Sequence, residues 1–518
     1  MSASNAEAAE PQQPAPPTVP PNPEPQEPGH EQRKATGSLV LRNTLFLMGA
    51  QIVNTPLSIL INVMMGRYLG PNEFGLLYLA STFCSFGFLF VDWGQSSVVP
   101  AIVARERSSV NGVLGSSLLF RLAAACIVYV FMAPLALIIA PGHGFQLTLV
   151  IVAALALVGS LYSAFLDTLR GLERLDLSAY NGVGQQLLTG ALVIPILLLG
   201  GRLHSVLLAQ IAAVVVVLAV AVKILGGLGV RPARPHMSHI KRLLHEGTPF
   251  VFFGFAMALQ PNVDAGFLSR MVPTEVIGWH AAARRLLGFL VTPAGALIGA
   301  LYPTLCRLHA EDRESFVNVT RQGVQSALLL ATPIALGCAL YADIGVAIYS
   351  KEAFGPAAMN LRLLAPFILL VYVSMPLGSS LLAAGRQRTW AGVQLVCVGV
   401  SLILDPLLVP LMQRRYANGG LGVCIATVAS ELVMVVCGVW MTPRGIFDRS
   451  WLRKLLPLLA GAAGMTATAL ALAAVSLTPY VAAPLAVAAY GGTIWATGGV
   501  DPVYVEKFKA KLRSKLKR

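Results

Sequence analysis

Charge is what this chain has least of. Only 12% of its 518 residues are Asp, Glu, Lys or Arg, against about a quarter in a soluble domain. That shortage excludes an ordinary soluble enzyme or binding module. Long polar loops are also missing between residues 38 and 499, so nothing offers a surface for a catalytic loop. No Ser-His-Asp, metal-ligand or nucleotide-phosphate pattern stands out. The chain is therefore read as a non-enzyme, with no catalytic and no metal residues. Six of the 7 cysteines, Cys84, Cys126, Cys338, Cys397, Cys424 and Cys437, sit in apolar runs, and Cys306 lies at a helix end. None pair at metal-ligand spacing, so they read as bystander thiols. No charged segment leads into a short apolar run at the start, which argues against a cleaved signal peptide. Nucleic acid is excluded as a partner for want of a basic, aromatic-interleaved soluble domain.

What the chain has in abundance is apolar length. Hydrophobic residues make up 56% of it, and the mean hydropathy is +0.69. Windows of about 20 apolar residues repeat throughout, as helical spans require. A barrel would show short alternating strands instead. The spans are expected at residues 39–66, 74–101, 112–140, 145–169, 177–200 and 204–227, then 248–272, 275–304, 318–349, 356–384, 389–412 and 419–442, with two shorter ones at 454–477 and 481–499. The fold class is an all-α polytopic membrane protein of about 14 transmembrane helices: two six-helix lobes related by a pseudo-two-fold along the membrane normal, plus two extra C-terminal helices. The expected divisions are a disordered proline-rich tail (1–37), an N-lobe (38–228), a basic linker (229–247), a C-lobe (248–442), the last two helices (443–499) and a basic tail (500–518).

Orientation follows from where the basic residues collect. Arg105, Arg107, Arg170, Arg174, the cluster Arg231, Arg234, Lys241 and Arg242, then Arg386, Arg388 and the tail from Lys507 all fall on one side. That side is expected to be cytoplasmic, with both termini there. An internal repeat points to duplication. Arg67-Tyr-Leu-Gly-Pro-Asn-Glu73-Phe-Gly75 and Arg270-Met-Val-Pro-Thr-Glu275-Val-Ile-Gly278 join two spans each by a short turn, with similar residues in the same order. Two halves of one orientation imply parallel repeats, with substrate between them.

These residues resemble a known family. Arg67-Tyr-Leu-Gly-Pro-Asn-Glu-Phe-Gly-Leu-Leu-Tyr-Leu-Ala80 is similar to the first-hairpin signature of the polysaccharide flippases, the Wzx-like branch of the MOP superfamily. Asp92-Trp-Gly94 resembles the close of their second span. Asp264 through Gly278 and Ala281-Ala-Ala-Arg284 to Tyr302-Pro303 resemble their seventh and eighth. Tyr349 to Leu363, Leu382-Ala-Ala-Gly-Arg386 and Gly419-Gly-Leu-Gly422 with Ser430-Glu431 fit the tenth to twelfth. The resemblance covers residues 38 to 499. It implies translocation of an undecaprenyl-pyrophosphate-linked oligosaccharide from the inner to the outer leaflet of a bacterial cytoplasmic (inner) membrane. Partners implied are that lipid-linked oligosaccharide and membrane lipid. The proline-rich tail departs from the pattern and leaves docking to other polysaccharide-assembly proteins open.

The ionisable groups inside the spans are the candidate sites. Arg284 lies about 15 Å into its helix, where a cation faces protein or a wet cavity. Arg284 and Arg285 are the candidates for the pyrophosphate, by the fit of guanidinium to phosphate oxygens. Neighbours point about 100° apart, so one of them is expected to face the cavity. Arg284 is preferred because His280, four residues earlier, shares its face; the alternative is a structural bridge from one arginine to Asp264. Arg121 either receives the linker or pairs with Asp92. Gln51, Thr55, Ser58 and Asn62, with Asn54 beside them, form a polar face on the first span, for sugar contact or for helix packing; Gln260 and Asn262 on the seventh are further substrate-binding candidates. Asp264 and Asp92 are candidates for ion coupling. A coupling ion, proton or sodium, is the one cofactor left open, while Asp405 and Glu431 read as satisfied groups or helix-end residues. The competing readings are a multidrug or small-metabolite exporter of the same design and, further off, a membrane-embedded glycan-modifying enzyme.

Overall fold

The protein is described here from a computed structural model covering residues 30–139, 143–350, 352–443, 445–447 and 449–499. Most of the proline-rich tail (1–29) and the basic tail (500–518) lie outside these residues. Among those described, twelve helices are long and apolar enough to cross a membrane. The first of these spans 57 residues, Gly49–Arg105, about 85 Å if straight, far more than one 30 Å bilayer core. It folds back on itself. Within α1 (His30–Asp92) the backbone breaks at Gly70, with φ 73 and ψ 172. Gly tolerates that left-handed conformation, and Pro71 disfavours helix at the residue before it. α1 thus makes two crossings.

The other elements follow in order: α2 (Gln95–Arg105), α3 (Val110–Ile139), α4 (His143–Gly171), α5 (Leu175–Leu198) and α6 (Leu203–Gly227) complete the N-lobe. The C-lobe comprises α7 (Met237–Met271), α8 (Thr274–Glu311), α9 (Arg313–Leu340), the short α10 (Ala342–Ala347) and α11 (Ala357–Leu363), α12 (Ala365–Ala383), α13 (Gln387–Tyr416) and α14 (Gly420–Met441). Then α15 (Arg449–Ala474) and α16 (Pro479–Ala496) pack on each other and on α9, where the Tyr490 hydroxyl donates to the Leu329 carbonyl at 2.9 Å. Two boundaries differ from expectation. α1 starts at His30, within the segment assigned to the disordered tail. α7 starts at Met237, inside the expected linker, where the Arg242–Glu246 pair at 2.8 Å ties one turn to the next. At the turn into α9, Asp312 caps the helix, accepting from the Glu314 and Ser315 amides at 2.9 and 3.1 Å. The Ser315 hydroxyl, then the backbone, holds this carboxyl below its usual range, so the cap stabilises at neutral pH and fails as pH falls through that lowered value.

The two lobes share one packing plan. α5 packs on α6 as α13 packs on α14, α4 on α6 as α12 on α14, α1 on α5 as α7 on α13, and α3 on α4 as α9 on α12. That correspondence is the pseudo-two-fold, and the repeated turns meet on its axis. A Cβ on Gly75 would press on the Thr274 carbonyl and lie 2.9 Å from the Gly278 nitrogen, while one on Gly278 would lie 2.8 Å from Pro71 Cα. Gly75 follows Pro71 by four residues and Gly278 follows Thr274 by four, so each glycine receives the other turn's backbone. The Thr274 hydroxyl also donates to Asn72 at 3.0 Å.

On the basic side the lobes meet again, along α2, α3 and α7. Trp93 and Gly94 take φ values of 46 and 71 between α1 and α2. A Cβ on Gly94 would lie 2.8 Å from the Gly247 carbonyl, and Trp93 Nε1 donates to the Leu244 carbonyl at 3.2 Å. Away from that seam, the basic-side half of α8 is largely exposed, as are Gln51, Ile52 and Val53 of α1. Gly278→Val is expected to force the far-side turns apart. Spin labels at Tyr68→Cys and Glu275→Cys should report a longer distance in Gly278→Val and an unchanged one in Gly247→Val. An unaltered distance in the first variant contradicts this account of the seat.

Candidate functional site

α8 lies at the lobe seam, against α1 on one side and against α9, α11 and α12 on the other. Successive helix residues diverge by about 100°, and here that angle sends neighbouring arginines into different lobes. Arg285 enters an N-lobe chamber of about 350 Å³ that is lined also by Ser58, Asn62, Gln185, Gln186 and Gln210. Arg284 enters a C-lobe chamber of about 380 Å³ with Gln260, Ser374, Trp390 and Glu431 in its wall. The expectation that one arginine faces a single cavity is thus corrected: there are two chambers, and each arginine has one.

Arg285 is held by neutral groups. Its Nη1 donates to Asn62 Oδ1 at 2.7 Å, and its guanidinium carbon stands 5.9 Å from the Phe74 ring centroid. Among the described residues, the ion pairs involve neither Arg284 nor Arg285. The structural bridge from an arginine to Asp264 is therefore not formed, although Arg284 is near enough to exert its field on that carboxylate. Asp264 and Asp405 face each other deep in the C-lobe, 1% and 0% exposed. Ser401 is the neighbouring hydroxyl beside Asp264, and among the described residues none of the four carboxyl oxygens has a full-geometry hydrogen bond. Asp405 is thus no helix-end residue, and Glu431, half-buried, takes a hydrogen bond from the Ser374 hydroxyl.

Several expected site residues stand elsewhere. His280 does share a helix face with Arg284 but is fully buried, packed on Tyr78 and 3.8 Å from Cys424 Sγ; it lines neither chamber. The face of α8 that carries it is covered by α1 and α14. Gln51 is exposed below the N-lobe chamber, and Asn54 and Asn262 lie outside both linings, Asn262 spending its amide on the Ala258 carbonyl at 2.8 Å. Ser58, Asn62 and Gln260 do reach chambers. Arg121 does not: it is fully buried, 2.8 Å from Asp92, 3.2 Å from Asp167, and bonded to the Ser160 carbonyl. Of the two roles open to it, the pairing with Asp92 is the one formed, and Asp92 is committed to that pair. The residues missed by sequence are Gln185, Gln186 and Gln210, single polar groups scattered through α5 and α6 that converge only in space. Another cavity, about 570 Å³ beside Phe86, Phe90, Trp93 and Phe120, has no charged residue in its lining, and neither arginine borders it.

Comparison with known proteins fits this architecture. A family model described as polysaccharide biosynthesis protein matches residues 40–309, just over half the chain. The chain belongs to that family. The match takes in nearly all of the N-lobe and α8 up to residue 309, both arginines included. Among solved structures, the fold is similar to the lipid II flippase MurJ in an inward closed conformation, at TM-score 0.67 and 14% identity over 88% of this chain and 98% of that one. It is also similar to an inward-facing multidrug resistance MATE transporter of the MOP superfamily, at TM-score 0.60 and 16% identity over 75% and 96%. A MOP superfamily transporter from Pyrococcus furiosus matches at TM-score 0.51 and 16% identity over 77% and 94%. A comparison with curated protein sequences returned no match.

The Arg121 cluster makes a separate claim. Removing one partner of a buried ion network costs about 3–5 kcal/mol, because the remaining charges stay buried. Arg121→Ala is expected to lower the unfolding temperature sharply, and combining Arg121→Met with Asp92→Asn and Asp167→Asn should restore most of it. A stable single variant would show that the network carries no structural load.

Proposed function

We propose that the protein is a flippase carrying an undecaprenyl-pyrophosphate-linked oligosaccharide, a polysaccharide repeat unit, from the inner to the outer leaflet of a bacterial cytoplasmic membrane by alternating access. One observation carries the reading: Arg284 and Arg285 stand half-buried within a span, each open to a chamber, with no ion pair among the described residues. A cation there is costly unless something answers its charge. A pyrophosphate linker answers it, and the forked guanidinium matches phosphate oxygens. Arg285 is the stronger linker ligand because its chamber wall contains no carboxylate, whereas Glu431 shares the wall with Arg284. This revises the preference for Arg284 drawn from helix-face arithmetic. The aliphatic tail stays in lipid, and the basic side is the cytoplasmic side, with both termini on it.

Coupling is assigned to Asp264 with Asp405 rather than to Asp92. Two buried carboxyl groups at hydrogen-bonding range either share a proton or hold a cation between them. Family membership and the likeness of fold to a structure named as a lipid flippase support the reading. An exporter of organic cations is the second reading, favoured by Glu431 beside Phe253, Phe367 and Trp390 and by the MATE-like fold; the unpaired Arg285 speaks against it.

The decisive measurement is translocation of a pyrophosphate-linked oligosaccharide in reconstituted vesicles. Arg285→Ala is expected to slow it at least about tenfold, the size of one lost charge-assisted contact, with Arg285→Lys intermediate and Arg284→Ala less affected. Wild-type rates in both alanine variants end the assignment. For coupling, an imposed sodium or proton gradient should accelerate the wild type and leave Asp264→Asn unmoved. A wild type indifferent to both gradients removes the ion from the mechanism.

A further inference from the structure

The two chambers differ in chemistry. The N-lobe wall holds one cation and several amides, with no carboxylate and no aromatic ring. The C-lobe wall also holds a cation, Arg284, but sets it among Glu431, Gln260 and Gln394 and adds Phe253, Phe367 and Trp390. A pyranose ring has an apolar C–H face and a rim of hydroxyls. An indole face suits the first, and a carboxylate accepts from the second through two oxygens. A doubly anionic linker wants the reverse, cations without carboxylates. The C-lobe chamber is thus lined for sugar and the N-lobe chamber for phosphate.

We infer that the C-lobe chamber carries a carbohydrate subsite, with Trp390 as the platform for a sugar ring and Glu431 as the acceptor for its hydroxyls. The subsite rests on the flippase reading above and deepens it: linker and glycan are held in different lobes, on either side of α8. The tryptophan is placed by design of its neighbours. A Cβ on Gly378 would lie 2.8 Å from its ring and one on Gly438 3.4 Å away, so glycines on two helices clear the floor on which the ring lies. Trp390 is 7% exposed, packed in a cluster with Val393, Cys397 and Met434, and it contributes to the chamber wall. Glu431 is fixed from behind by the Ser374 hydroxyl. Gly438, against which the indole rests, lies seven residues along α14 from Glu431, about 10 Å of rise. That separation is on the scale of a disaccharide.

Glu431 also selects. An acidic sugar would set a second carboxylate against it and compete with it for Arg284 in the same wall, whereas a neutral hexose or an N-acylated hexosamine brings hydroxyl and amide donors and no charge. The class assigned to this subsite is therefore neutral or N-acylated sugar.

The test uses the full chain in lipid nanodiscs, with chitobiose, a glucuronate-containing disaccharide, tetraphenylphosphonium and inorganic pyrophosphate as probes. Saturation-transfer NMR should show chitobiose binding and little binding of the acidic disaccharide. Trp390→Leu and Glu431→Gln should each weaken chitobiose about tenfold, as for loss of a principal contact, with Trp390→Phe between. The ratio of chitobiose to pyrophosphate affinity should fall in Trp390→Leu and rise in Arg285→Ala. Trp440→Leu, whose parent residue is 84% exposed on α14, is the control and should leave that ratio alone. A purely structural tryptophan would lower stability without moving the ratio, and that result overturns the subsite. Binding of tetraphenylphosphonium that needs Glu431, with no sugar bound, overturns it as well. Normal translocation in Trp390→Leu and Glu431→Gln defeats the subsite and spares the flippase. Chitobiose bound through Trp390 in a protein that moves no lipid-linked oligosaccharide keeps the subsite and defeats the flippase.

Discussion

A cation held inside a membrane span must have its charge answered, and how it is answered separates the two kinds of arginine in this protein. Arg121 is answered from within: two aspartates and a backbone carbonyl close around it, and no surface of it is exposed. Arg285 is answered only by a neutral amide and the face of a phenylalanine, at the edge of a chamber. Both sit within apolar helices, and both have the same five donors. The difference lies in neighbours that come from other helices. A buried guanidinium ringed by carboxylates is finished as a structural element. One left beside amides keeps its donors for an anion that comes and goes.

That availability depends on how the lobes meet. At the far side the contact is backbone against backbone, made possible by Gly75 and Gly278, and it carries one side-chain hydrogen bond between Thr274 and Asn72. On the basic side Gly94 and Gly247 play the same part beneath Trp93. The far-side seat is close but buries little polar surface, so parting it leaves few orphaned groups to be satisfied. The basic side is tied more firmly, since Arg242 of α7 donates to both carboxylate oxygens of Glu106 at 2.8 and 2.9 Å. Steric fit at glycines gives the far side a closure that can be undone.

Much of this was legible in the chain itself. Hydropathy alone places the spans, and the repeated Arg-Pro-Glu-Gly turns announce the two-fold before any coordinates do. Depth along α8 is enough to mark Arg284 and Arg285 as costly. What helix arithmetic cannot supply is the identity of the wall each side chain meets. His280 and Arg284 share a face, yet α1 and α14 cover His280 while the arginine escapes into a chamber one turn on. Gln185, Gln186 and Gln210 look like isolated packing amides in sequence, because α5 and α6 bring them together only after both have packed on their neighbours. Asp405 and Glu431 read as satisfied or end groups for the same reason. α13 and α14 begin within two residues of expectation, so what the pattern lacked was the neighbours: Asp264 against Asp405, and a chamber beside Glu431.

The duplicated lobes have kept their packing and parted in chemistry. α5 and α6 bring glutamines to the N-lobe chamber wall, while their counterparts α13 and α14 bring Trp390, Gln394 and Glu431 to the C-lobe wall, with Asp405 buried outside it. Electrostatics gives that divergence a reason. At an effective dielectric of about 20, unit charges 4 Å apart interact by about 4 kcal/mol, and at about 10 Å, a helix diameter, by less than half that. A carboxylate inside the N-lobe chamber would capture Arg285 in the way that Asp92 and Asp167 capture Arg121. With α8 between, Glu431 stays apart from Arg285, which on the proposed reading leaves Arg285 open to phosphate while the C-lobe serves a sugar or an ion. Two adjacent arginines on one helix, with acid in one chamber and amide in the other, turn the 100° step between neighbours into a partition between two chemical environments.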